Sequence, residues 1–91
     1  MDTQPVRLRV GVSEWRRVDD EIVAVVLADQ RFVSVNRSGA PLWEALVAGT
    51  DVAHLEALLV EKHRITADRA QADVRAFLDD LRSRGLLEPV Q

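Results

Sequence analysis

The side chains able to do chemistry in this 91-residue chain are few and scattered. His54 and His63 stand nine positions apart in one helical stretch, so they point in different directions, and no third nitrogen or sulfur ligand lies nearby in sequence. Asp19-Asp20-Glu21 and Asp79-Asp80 offer paired carboxylates, but general acid–base work needs one carboxylate desolvated in a cleft, and these pairs sit in hydrophilic surroundings. Ser34 and Ser38 lack an adjacent base to activate either hydroxyl. The Ser38-Gly39 bend falls well short of a phosphate-cradling loop. Cysteine is absent, which removes thiolate chemistry and disulfides and is compatible with a reducing compartment such as the cytoplasm. The residues therefore predict no enzyme, no metal and no cofactor. Binding is left as the function to look for.

Composition narrows what is bound. Hydrophobic residues make up 47% and charged residues 30%, the balance of a folded globular chain, and the length suits one domain spanning residues 1–91. The opening MDTQPVRLRV lacks the apolar run of a signal peptide, and no run of eighteen apolar residues occurs. The net charge of −3 argues against a protein whose main task is to neutralise phosphates. Arg16-Arg17 beside Trp15 is a lone basic pair. In the last helical stretch Arg69, Arg75, Arg82 and Arg84 are offset by Asp68, Asp73, Asp79 and Asp80, which disfavours a groove-inserted DNA-reading helix. Proteins and peptides are the expected partners.

The elements that must position any binding residues are legible from periodicity. Val6, Leu8, Val10 and Val12 alternate with Arg7, Arg9, Gly11 and Ser13, predicting a half-buried strand. Residues 21–28, EIVAVVLA, are apolar on both faces and predict a central strand. Asp29-Gln30-Arg31 is a turn into Phe32–Val35, with Phe32 and Ser34 on one face and Val33 and Val35 on the other. These three strands predict an antiparallel meander. The period then becomes helical: Leu42, Trp43, Leu46 and Val47 face inward, Ser38 is the expected N-cap, Pro41 fits in the first turn, and Gly49 ends the helix. A second helix begins at Thr50 or Asp51 and buries Val52, Leu55, Leu58 and Leu59. A third opens at Thr66, buries Ala70, Val74, Phe77, Leu78 and Leu81, and stops at Gly85. The fold class is α+β, a three-stranded antiparallel sheet followed by three helices.

The remaining functional handle is an edge. With residues 21–28 in the middle, Phe32–Asn36 is an outer strand with no Pro or Lys to blunt it, and such an edge accepts a further strand. Leu78 lies on the flank of the third helix beside Gln71, Arg75 and Arg82, where it could wall a groove floored by that edge and receive an extended peptide. Equally open is that Leu78 is core and the edge is covered by the N-terminal segment or a second copy of the chain.

Three stretches in order, FVSVNRSGAPLWEALVAGT, HLEALLVEKHRIT and ADVRAFLDDLRSRGLLE, resemble the PqqD-like family, the recognition elements for leaders of ribosomally made, post-translationally modified peptides. Phe32, Val35, Asn36, Gly39, Ala40, Trp43 and Gly49 carry the junction pattern, and the likeness covers about residues 18–88. It implies a winged helix-turn-helix-like arrangement without DNA-binding duty, in which a leader adds as an antiparallel strand beside the third strand. By position, Phe32, Val33, Ser34 and Val35 would supply the ladder and floor, and Val74, Arg75, Leu78, Asp79 and Arg82 the helical wall. Within the family the chain looks most like the discrete leader-binding proteins of lasso-peptide pathways. Those present a precursor to a cysteine protease, the leader peptidase, and to an ATP-dependent cyclase. The alternative is the pyrroloquinoline-quinone pathway chaperone, which hands a precursor to a radical-SAM enzyme. A homodimer through the same edge is a further expectation.

Overall fold

The sheet forms where the sequence is richest in Val and Ile. In the computed structural model, which describes residues 5–88, β1 is Pro5–Val6, β2 is Ser13–Val18, β3 is Glu21–Val26 and β4 is Arg31–Val35. Helix α1 (Ala40–Ala48), the short β5 (Thr50–Asp51), α2 (Val52–His63) and α3 (Ala67–Ser83) follow. Residues 1–4 and 89–91, the ends of the anticipated single domain, lie outside the described residues. Strands β2, β3 and β4 make the expected antiparallel meander, with β3 central. Ile22, Ala24 and Val26 of β3 and Val33 and Val35 of β4 face the helices, because side chains alternate along a strand and the helices cover one face of this sheet.

The first strand of the sheet is not the one expected. Residues 6–12 contribute only Val6 to a strand, and β1 pairs with β5, Pro5 opposite Asp51 and Val6 opposite Thr50. Leu8 then bridges Leu87, and its N–H donates to the Leu46 carbonyl. Val6 and Leu8 are buried as their alternation required, but Val10 is 78% exposed in a turn that Gly11 completes at φ 84°. The segment is a strap joining the end of α1 to the chain's C-terminal part. The strand beside β3 is SEWRRV, where Trp15, in register with Ala24, lies edge-on to Trp43 with ring centroids 6.2 Å apart. Arg17, in register with Ile22, reaches Glu44 of α1 at 2.7 Å. An arginine whose apolar stem lies along the sheet margin carries its charge out to solvent, so this strand has no Val/Ile signature.

Two of the three helix starts follow from capping. The Asp51 carboxylate accepts from the His54 N–H at 2.8 Å, and the Thr66 hydroxyl accepts from the Arg69 N–H at 3.2 Å. Helix α1 differs from expectation: its N-cap is Gly39, and Ser38 makes no capping bond. Asn36 serves the bend instead. Its Oδ1 accepts from the Gly39 N–H at 3.1 Å, and its carbonyl accepts from the N–H groups of Gly39 and Ala40. Pro41 sits in the first turn, and Gly49 ends α1 at φ 93°. The core runs from Ile22 and Val35 through Leu42, Trp43 and Leu46 to Leu55, Leu59, Val74, Leu78 and Leu81, with Trp43 fully enclosed. Val47, expected inside, is partly exposed.

Candidate functional site

Strand β4 is bonded to β3 on one side, and among the described residues no strand pairs with its other side. The strap leaves that edge uncovered, because it pairs with β5 and with Leu87. Alternate residues of an outer antiparallel strand turn their N–H and C=O groups away from the sheet, so β4 presents a row of backbone partners. The opposite margin, β2, carries Glu14, Arg16 and Arg17 within six residues, charges of the kind that discourage strand pairing. One edge is guarded and the other open.

Helix α3 borders a depression near each end of β4. At the C-terminal end of β4, a depression of about 560 Å³ is floored by Leu42, Leu59, Ile65 and Phe77 and rimmed by Asn36, His63, Arg69 and Asp73. At the N-terminal end, one of about 330 Å³ lies among Val26, Asp29, Arg31, Asp80, Ser83 and Arg84. The residues of α3 and its C-cap involved, Arg69, Asp73, Ala76, Phe77, Asp80, Ser83 and Arg84, recur at helical spacing and form one stripe. From Arg69 to Arg84 this stripe covers roughly 22 Å at about 1.5 Å per residue, the length of some seven residues of extended chain at about 3.3 Å each. Gly39 holds the junction close: a Cβ there would lie 2.7 Å from Val35 Cγ1 and 3.1 Å from Phe77 Cε1.

The anticipated site residues divide. Val33 and Val35 are buried against the helices, while Phe32 and Ser34 stand on the sheet's solvent face, with Phe32 76% exposed. Arg75, Leu78, Asp79 and Arg82 are brought together with Val74, but they border a depression of about 290 Å³ beside Val52 and Glu56 of α2. Val74 and Leu78 are core. The stripe that borders the β4 end of α3 was not anticipated. Its one available signal was Phe77, apolar at the margin of the core stripe; which flank turns to the sheet depends on how α3 docks, and periodicity does not encode that.

Three arginines in and just beyond α3 are engaged locally. Arg69 pairs with Asp73 at 3.7 Å, Arg82 with Asp79 at 3.2 Å and Arg84 with Asp80 at 3.1 Å. Each pair is solvent-exposed and contributes little to stability, but each neutralises a charge that phosphate binding would require free. Among the described residues no three His, Asp or Glu side chains converge as a metal site, and no helix is long and apolar enough to cross a membrane.

The family model described as coenzyme PQQ synthesis protein D (PqqD) matches residues 15–87. The chain belongs to the PqqD family. A solved structure with the same fold is that of TbiB1 in complex with the TbiA(beta) leader peptide. It superposes with a TM-score of 0.84 at 20% identity, over 93% of this chain and 98% of that one. A search of curated proteins gave no match. The PqqD match begins at Trp15, within β2, so the strap and the first two residues of β2 lie outside it and the rest of the sheet, the junction and all three helices lie inside.

Proposed function

We propose that this PqqD-family chain is a non-catalytic binding protein. It captures the leader of a ribosomally made precursor peptide by β-strand addition to β4 and presents that peptide to processing enzymes. The observation that carries the proposal is the open outer edge of β4 beside the α3 stripe, a ladder of backbone groups with an apolar depression at one end and a charged one at the other. The TbiB1 fold, solved with a leader peptide bound, supports it. In this reading the backbone of residues 31–35 bonds the peptide, Phe77 and Ala76 meet its helix-facing side chains, and Arg69, Asp73, Asp80 and Arg84 meet polar groups at the two ends. The site works through effective concentration and orientation, holding the remainder of the substrate near a second active site.

The enzymes served are a leader peptidase and an ATP-dependent cyclase of a lasso-peptide pathway. The PqqD family description supports a second reading, in which the peptide is delivered to a radical-SAM enzyme. Neighbouring reading frames separate the two: a protease and an asparagine-synthetase-like cyclase beside a short precursor gene, or a radical-SAM gene in their place. The binding claim is tested by titrating the synthetic leader of that neighbouring precursor, labelled with a fluorophore, and following anisotropy. Saturable binding that an unlabelled copy reverses is expected; no binding up to millimolar protein overturns it.

A further inference from the structure

The face of the sheet turned away from the helices carries an apolar row that the core does not use. In register across the strands stand Glu14, Val25 and Phe32, and beside them Arg16, Val23 and Ser34. Val23 and Val25 are half-buried, whereas Phe32, at the end of its row and on the open edge, is 76% exposed. A shallow depression of about 270 Å³ lies on this row among Glu14, Val23, Val25 and Phe32. Phe32 has Val25 on one side and, among the described residues, no cross-strand neighbour on the other, because β4 is the last strand.

Resting on strand addition to β4, we infer that the bound peptide is gripped on both faces of the sheet and that Phe32 sets its sequence preference on the outer one. Side chains of an added strand alternate between the face under α3 and the solvent face. The outward residue placed opposite Phe32 has its Cβ about 4.5–5.5 Å from that of Phe32, close enough for ring contact. That residue is large and apolar, because only such a side chain removes the exposed ring from water. The outward residue two positions away lies opposite Ser34, in a row completed by Val23 and Arg16, and is small or polar. The ligand class is thus an extended segment whose outward positions read large apolar, then small or polar, while its alternate residues meet Phe77 and the α3 stripe. The charges of Glu14 and Arg16 lie two strands away and leave the position beside Phe32 apolar.

The probe is a phage-displayed library of random twelve-residue peptides, selected on the intact protein and resynthesised for anisotropy. Selected peptides are expected to carry a large apolar residue whose replacement by Ser weakens binding roughly tenfold, the effect of burying one such side chain. Phe32→Ser should weaken the parent peptide similarly and the Ser-substituted peptide hardly at all, while Phe32→Leu restores most of the affinity. Since Phe32 is exposed, neither variant should disturb folding, which circular dichroism verifies. Peptides that perturb the amides of residues 31–35 yet bind Phe32→Ser unchanged overturn the outer-face inference and leave strand addition standing. Peptides that bind without perturbing those amides, or a library yielding no binder, overturn both. Loss of a dimer in Phe32→Ser by sedimentation, without peptide binding, assigns the face to a second copy and likewise overturns both.

Discussion

Replacing Gly39 by Ala tests how tightly the junction between β4 and α1 is built. The backbone there, φ −88° and ψ −18°, is open to any residue, so no strain arises from the main chain. The added methyl has nowhere to go: it would sit 2.7 Å from Val35 Cγ1 and 3.1 Å from Phe77 Cε1, against an ordinary carbon–carbon contact of about 3.5–4.0 Å. Val35 is buried, so relief must come from moving β4 away from α1 or from displacing Phe77. Overpacking of this kind costs about 1–3 kcal/mol, and Ala is also a poorer N-cap than Gly, so a loss of roughly 2–3 kcal/mol is expected. For a domain of this size that lowers Tm by roughly 10–20 °C. Urea unfolding followed by Trp fluorescence gives the free energy directly, with Ser38→Ala as the control, because Ser38 is exposed and makes no capping bond. An unchanged or raised stability for Gly39→Ala would refute the close approach of Val35, Phe77 and Gly39. Since Phe77 floors the larger depression, the same variant should also weaken peptide binding in the fraction that remains folded.

Ala76→Arg, at an exposed position on the α3 stripe, is expected to weaken leader binding at least tenfold without altering the unfolding midpoint. Arg75→Ala and Arg82→Ala, beside α2, should leave anisotropy titrations within twofold of the parent. Leu78→Glu places a carboxylate at a position only 5% exposed and should unfold the domain, losing more than about 4 kcal/mol, as near-ultraviolet circular dichroism would show. Asp51→Ala removes the acceptor for the His54 N–H and should lower stability by about 1 kcal/mol, measured by urea titration, with peptide affinity retained.

What was legible in the sequence was whatever a local period or cap encodes. EIVAVVLA announced the central strand because both of its faces are apolar, and Asp51, Thr66, Gly49 and Gly85 punctuated the helices by hydrogen bonding or positive φ. The strand SEWRRV was hidden because it lies at the sheet margin, where Arg17 satisfies the inner face with its stem and an ion pair to Glu44. The alternation of Val6 and Leu8 correctly marked burial but not its location, since a strap and a sheet strand share the same period. Gly39 took the N-cap position that a reading of short-range preference gave to Ser38, and Asn36 supplied the side-chain bond at the bend. The open edge followed from strand order alone. Which flank of α3 lies toward β4 did not, because Phe77 and Leu78 are both apolar, and only the docking of the helix places Phe77 beside Gly39 and Leu78 beside Val52 and Glu56 of α2.

The central claim is strand addition to β4, and backbone amide exchange reads it residue by residue. With the synthetic leader of the neighbouring precursor bound at saturation, NMR-detected exchange at residues 31–35 should slow at least tenfold at alternate amides, those turned away from β3. The intervening amides, already bonded to β3, should change little. Unchanged exchange throughout β4, with protection appearing instead around Gln71, Arg75 and Arg82, would contradict it.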